Sequence, residues 1–251
     1  MIILLVATFN MKNSYSPASP KNWIRRAEAT KELIQKRKLD VIGTQELTPR
    51  TKDYLEKRLE DYIFVGESRG SASISDEYNS ILLKKEVFDL LDTKTYSLSN
   101  DINKKGGRFL LDFFPRICTV AHTLYEGHNY LIINTHLDNL FSYNRKLQLE
   151  VLSKIIRLEK GSKEDIIIMG DFNMHLTGDL KKFEKQNKLV DAVPRTLGSS
   201  FREFDRKQPI DHIFIPEDTM KVDNVLYDKE KYNGINPSDH YIAIAEVSRK
   251  K

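Results

Sequence analysis

Residues 165–173 read DIIIMGDFN. Three isoleucines and a methionine run together, and the chain turns polar at Gly170-Asp171-Phe172-Asn173. A short, unbroken, β-branched run of this kind marks a strand covered on both faces. The polar residues sit where it ends, at the edge of a packed sheet rather than inside it.

The same arrangement recurs outward in both directions. YLIINTHLD carries Asn134, His136 and Asp138 at its end, IILLVATF (2–9) runs into Asn10, and DVIGT (40–44) runs into Gln45-Glu46. Downstream the order reverses. Asp211 opens DHIFI, and Ser238-Asp239-His240 open YIAIAEV. NSILLK (79–84) and ICTVAHTL (117–124) complete the set, and HYIAIAEV alternates as a half-buried strand should. If these groups converge, some strands run toward the site and others away from it. That predicts mixed or antiparallel sheets and argues against an all-parallel barrel, whose sites gather at C-terminal strand ends.

Helical patterns lie between the strands. Over 21–38, Ala27, Thr30, Leu33 and Ile34 form one stripe. Over 142–159, Leu147, Val151, Ile155 and Leu158 form another, with Ser142 as N-cap. A third helix over 49–60 starts with Pro49 at its first position. Alternating strands and helices predict an α/β or α+β domain. The polar stretches 66–77, 97–114 and 194–208 read as insertions at strand ends, and residues 1–251 as a single domain.

Composition sets the limits. The chain has 251 residues, 40% hydrophobic and 10% aromatic, which excludes a disordered segment. No apolar run reaches the roughly 18–20 residues that span a bilayer, and residues 2–9 lack the flanks of a signal peptide. A single cysteine, Cys118, excludes an internal disulfide framework, a zinc ribbon and a CxxC motif, and reads as a buried structural residue. A cytoplasmic location and a monomer are expected. The 40 Lys+Arg against 36 Asp+Glu give +4, with both signs interspersed, which permits a phosphate-bearing partner without demanding one.

The strand-end residues share a chemistry. Glu46, Asp239 and the amide oxygen of Asn10 are hard ligands suited to Mg²⁺, with Mn²⁺ as an alternative. Neither HExxH nor paired-His spacing is present, which disfavours zinc. Asp211 beside His240 would form an Asp–His pair, with the carboxylate fixing the tautomer and stabilising the imidazolium. Asp171 can orient or deprotonate a water, and Asn173 and His136 can donate to developing charge on phosphorus. Each piece alone has a plainer reading. Asp171 with Asn173 can close an Asx-turn, Asn10 can be a turn residue, and His136 can be a satisfied structural histidine. His212 should point away from Asp211 by strand alternation. His122, His128, His175 and His212 read as structural or surface residues.

The ordered set resembles the endonuclease/exonuclease/phosphatase superfamily, with its deoxyribonuclease I-like fold. The matching segments are TFNM, GTQEL, EYNSILLK (77–84), NTHLDN (134–139), GDFN (170–173), IDHIF (210–214) and SDH (238–240). The resemblance implies a four-layered α/β/β/α sandwich of two mixed sheets flanked by helices, and divalent-metal-dependent cleavage of a phosphoester. It implies Asn10, Glu46 and Asp239 at the metal, and His136, Asp171, Asn173, Asp211 and His240 in catalysis. NTHLDN and the run TYSLSNDINKKGGRFLLDFFPRICTVA look like a small bacterial hydrolase branch, which implies Arg116 and Asn134 at the substrate. The substrate would be a nucleic acid or a small or lipid phosphoester. Ser200-Phe201-Arg202 departs from the Thr-Phe-His common among relatives. A non-catalytic module that binds phosphorylated ligands on the same fold is the alternative.

Overall fold

A computed structural model describes residues 3–15, 22–70, 76–203 and 207–250. Ile2, Lys21 and parts of the loops 66–77 and 194–208 lie outside these residues. The elements run β1 (Ile3–Asn10), α1 (Asn22–Arg37), β2 (Val41–Gln45), α2 (Pro49–Glu56), β3 (Tyr62–Val65), β4 (Ile81–Lys84), β5 (Asp89–Ser97) and β6 (Ile117–Tyr125). They continue with β7 (His128–His136), α3 (Ser142–Glu159), β8 (Glu164–Asp171), α4 (Gly178–Gln186), β9 (Leu189–Asp191), β10 (Asp211–Pro216), β11 (Met220–Asp228) and β12 (Ile242–Arg249).

The strands form two mixed six-stranded sheets, ordered β11-β12-β1-β2-β4-β3 and β5-β6-β7-β8-β10-β9. β1 and β2 are parallel, as are β7 and β8, and the other pairings are antiparallel. Three apolar layers separate four structural ones. Ala27, Leu33 and Ile34 of α1 and Leu55 of α2 pack on Phe9, Ile42 and Ile244 of the first sheet. Val6, Val41 and Ala245 of that sheet face Ile132, Ile167 and Ile213 of the second. Leu152, Ile155, Leu180 and Phe183 of α3 and α4 cover Leu131, Ile133, Ile168 and Phe214 on its far side. This is the expected sandwich.

Two glycines are fixed by close approach. A Cβ on Gly43 would lie 2.6 Å from the Asn134 side-chain oxygen, and one on Gly170 would lie 2.4 Å from the Thr135 carbonyl. The glycines of GTQEL and GDFN are therefore steric requirements of the sheets.

Local expectations need three corrections. α3 buries Leu149, Leu152, Ile155 and Ile156, while Leu158 is exposed and Leu147 and Val151 are half-buried. The buried face also carries the polar Asn144 and Gln148, which bind Asp112, so an apolar count alone misplaces the stripe. Ser142 is the first helical residue rather than the cap. Asp138 Oδ1 accepts the Leu140 and Phe141 N–H groups instead, at 2.9 and 2.5 Å. β12 is buried on both faces, because α1 and α2 cover one side of its sheet and the second sheet covers the other.

Cys118 is fully buried, and burial pushes its thiol pKa up. His212 points away from the cleft, as alternation predicts. It bonds Asp191 Oδ2 at 2.6 Å and the Met174 carbonyl at 2.9 Å, edge-on to Phe172.

Candidate active site

The sheet register sets out a row of chemistry. His136 pairs with Asp171 across β7 and β8, and Asp171 pairs with Asp211 across β8 and β10. Three consecutive strands of the second sheet thus present His136, Asp171 and Asp211 side by side. The first sheet ends opposite them. Asn10 pairs with Gln45 at the ends of β1 and β2, Glu46 follows, and His240 stands two residues before β12.

Side chains then cross between the sheets. Asn10 Nδ2 donates to Asp171 Oδ2 at 3.0 Å and to Glu46 Oε1 at 3.1 Å. His240 Nδ1 lies 2.9 Å from Asp211 Oδ2, and His240 Nε2 lies 3.9 Å from Asp171 Oδ2. His136 Nε2 lies 3.7 Å from the same Asp171 oxygen. Asp171 Oδ1 accepts the Asn173 N–H at 2.9 Å, and Asn173 Nδ2 donates to the Leu137 carbonyl at 3.1 Å. The Asp171–Asn173 bond is the Asx-turn weighed above, and it also locks the carboxylate in place. Asn173 has φ 52° and Glu46 φ 56°, left-handed backbone that Asn tolerates and Glu rarely adopts.

Electrostatics separate the titratable groups. Burial and the neighbouring Asp211 push Asp171 up to about 6, with His240 and the Asn10 bond opposing. Burial alone would lower His240, but Asp211 overrides it, with help from Asp171 and Asp239, and raises it to about 10. His240 is therefore an imidazolium clamped by Asp211. His136 goes the other way. Burial, Arg116, Arg69 and His240 hold its pKa well below the ordinary value. It is neutral, so its contact with Asp171 is not an ion pair.

Arg116 is buried, donates from Nη2 to Asn139 Oδ1 at 3.0 Å, and has an Nε without a hydrogen-bond partner among the described residues. Asp239 lies at the opposite rim, 2.8 Å from Lys12 Nζ. Asn134 does not face this space. It is fully buried, accepts from Gln45 Nε2 at 2.7 Å, and donates to the Thr44 and Ser80 carbonyls at 2.8 and 2.9 Å. Its side chain is committed to joining the sheets. Asn10, Glu46, His136, Asp171, Asn173, Asp211 and His240 form one network of contacts, with Arg116 near enough to influence His136 and Asp239 near enough to influence His240.

Some neighbours carried no role in the sequence. Asn13 donates to Glu46 Oε2 from its backbone N–H at 2.8 Å and from Nδ2 at 3.0 Å. Ser238 Oγ donates to the Asn10 carbonyl at 2.6 Å. Arg69 pairs with Glu77 at 2.9 Å, and burial, opposed by Arg69 and aided by Glu46, pushes Glu77 up to about 7. Glu77 lies in EYNS, a segment that matched the family as a block. Asn13 and Ser238 lie inside NMKN (10–13) and SDH, where spacing does not separate them from turn residues.

Glu46, Asp239 and Asn10 carry oxygen atoms of the kind a hard divalent cation prefers, and Asn10 Oδ1 accepts the Lys12 N–H at 3.0 Å. The Asn10 amide turns its donor end between two carboxylates, and Lys12 covers a third. Asp171, Asp211 and His240 also place potential ligand atoms within 4.8 Å of one another, but a protonated His240 bonded to Asp211 has no lone pair to offer.

Comparison with known proteins agrees with this architecture. A mannosyl-6-phosphatase of Bacteroides thetaiotaomicron superimposes with TM-score 0.85 at 24% identity, over 98% of this chain and 99% of that one. An endonuclease/exonuclease/phosphatase from Bacteroides vulgatus gives TM-score 0.87 at 22% identity, over the full length of both. D. rerio TDP2 complexed with single-strand DNA product gives 0.80 at 18%, over 99% and 100%. Among proteins with curated functions, none matches this chain in sequence. The Endonuclease/Exonuclease/phosphatase family model matches residues 7–240, and the chain belongs to that family.

Proposed function

We propose that this protein hydrolyses a phosphoester by in-line attack of water on phosphorus. One observation carries the reading: Asp171, held by Asn10 and Asn173, and His240, held by Asp211, face the same space, 3.9 Å apart. A carboxylate near pKa 6 accepts a proton at neutral pH better than an ordinary one does. Asp171, fixed by Asn10 and Asn173, orients the water and takes its proton. The His240 imidazolium, fixed by Asp211, holds a phosphoryl oxygen and offers positive charge where negative charge grows. Neutral His136, the second Nδ2 hydrogen of Asn173 and buried Arg116 supply further donors for the remaining oxygens. Mg²⁺ or Mn²⁺ on Glu46, Asp239 and Asn10 would polarise the phosphoryl group and stabilise the leaving oxygen.

The substrate class is tested by a panel of single-stranded DNA, RNA, phosphoinositides, sphingomyelin and sugar phosphates, with and without Mg²⁺. Turnover of at least one, abolished by chelator, is expected. Binding across the panel with no turnover would leave a phospho-ligand module instead.

A further inference from the structure

One face beside the cleft is unusually apolar for a protein surface. In the segment between β5 and β6, Leu110 is 99% exposed and Phe113 62%, and Leu111 and Phe114 are exposed as well. In the segment between β7 and α3, Leu140 and Phe141 are exposed, and Tyr143 follows at 63%. The two segments form one surface, because the Phe113 and Phe141 rings stack 6.4 Å apart with 9° between their planes. The surface is held rigidly from below. Asp112 is buried and accepts from Asn144 at 2.7 Å, Gln148 at 3.0 Å and the Phe109 N–H at 3.0 Å. The apolar tips are therefore held outward by a satisfied polar anchor.

The same two segments build the cleft. Phe114 leads through Pro115 to Arg116, and Leu140 lies four residues after His136. The Arg116–Asn139 bond ties them together where they leave the site. The surface is thus its rim.

Charge narrows the occupant. Over 101–114 and 139–147, Lys104, Lys105, Arg108 and Lys146 are exposed, against one exposed acid, Asp101. Lys105 pairs with Glu67 at 3.2 Å, which leaves the excess positive. A twofold contact between copies would press these like charges together. A single-stranded nucleic acid would stack on open aromatic planes, whereas the Phe113 and Phe141 planes face each other and three of the seven exposed side chains are leucines. Protruding aliphatic and aromatic side chains ringed by cations match a bilayer whose headgroups are anionic. We propose that this rim docks the protein on an anionic lipid surface, with the leucines and phenylalanines at the headgroup–acyl boundary and the cleft opening toward it. The docking surface is independent of the hydrolytic reading.

The test is cosedimentation with vesicles of phosphatidylcholine alone and of phosphatidylcholine with phosphatidylglycerol. The wild type should partition onto the anionic vesicles. Leu110→Ser with Phe113→Ser should lower that partitioning at least tenfold, and Lys104→Ser with Arg108→Ser should lower it on the anionic vesicles. All four positions are exposed, so hydrolysis of soluble bis(p-nitrophenyl) phosphate should stay at the wild-type rate in both variants if the hydrolytic reading holds. No partitioning of the wild type onto either vesicle overturns the proposal. So does self-association, or binding of a single-stranded oligonucleotide, that the Leu110/Phe113 variant abolishes while vesicle binding is absent. A protein inert on the soluble diester yet bound to vesicles would sink the hydrolytic reading and leave the surface standing.

Discussion

His240 and Asp211 meet at 2.9 Å although they approach from different sheets: Asp211 opens β10 of one, and His240 precedes β12 of the other. Neither sheet alone contains the pair. The sandwich must close before the imidazolium has its counter-charge, so the pair reports on the packing of both layers.

Replacing Asp211 by Asn should therefore do two things. Hydrolysis should fall by about two to four orders of magnitude, because the imidazole loses the partner that fixes its charge and tautomer. The His240 pKa should also drop from about 10 toward the neutral range, since Asp211 is the largest influence raising it. NMR titration of the His240 ring checks the second outcome. A pKa unmoved by Asp211→Asn would contradict the assignment.

Asn134 should matter to stability more than to chemistry. Asn134→Ala removes the shortest of three acceptors of Gln45 Nε2 and one donor to each of the Thr44 and Ser80 carbonyls, of which Ser80 keeps the Thr44 N–H and hydroxyl. Buried groups left unsatisfied cost about 1–3 kcal/mol each, and the collapse of neighbours recovers part of that. Denaturant unfolding should show a loss of about 2–4 kcal/mol, with turnover of the folded fraction retained. A selective loss of turnover at unchanged stability would place Asn134 at the substrate after all.

A pH-dependent contribution comes from the His212–Asp191 pair. Burial alone would lower the His212 pKa, but Asp191 and the Met174 carbonyl raise it above 6.5. A folded pKa above the unfolded one stabilises fully below the unfolded value and is lost as pH rises through the folded value. His212→Ala should destabilise by about 3–5 kcal/mol at low pH, because Asp191 is left buried without its partner. The gap between wild type and variant should narrow as pH rises above about 6.5. A gap that widens with pH would reverse the assignment.

The face of α3 gives a sharper test of the packing. Leu152→Ala should cost about 2–5 kcal/mol, as a fully buried leucine in the layer against the second sheet. Leu158→Ala should stay within about 0.5 kcal/mol, because Leu158 is exposed. Equal costs would restore the stripe that apolar spacing alone suggests.

The sequence was legible where burial is symmetric. The eight interior strands are the eight apolar runs, because covering both faces forces continuous hydrophobic sequence. β11, β3, β5 and β9 left no such run, and they are the edges of the two sheets. β5 and β11 are largely exposed, so their residues are polar and mixed. At the cleft, residue types at strand ends were readable, but the directions of their side chains were not. His136 and Asn134 are two positions apart on one strand and face the same side, yet one lines the cleft and the other ends inside the sandwich. Depth along the strand separates them, and sequence spacing does not encode depth. The stretch 97–114 read as an insertion at a strand end and 142–159 as a helix, and only packing shows the exposed apolar residues of 110–114 and 140–143 gathered on one rim.

The central claim is that Asp171 and His240 act together on water and phosphate. The most direct measurement is the Mg²⁺-supported hydrolysis rate of a soluble phosphodiester by the wild type, Asp171→Asn and His240→Ala, each checked for folding. Turnover by the wild type is predicted, with losses of at least about a hundredfold in each variant. Wild-type rates in both folded variants would contradict the account.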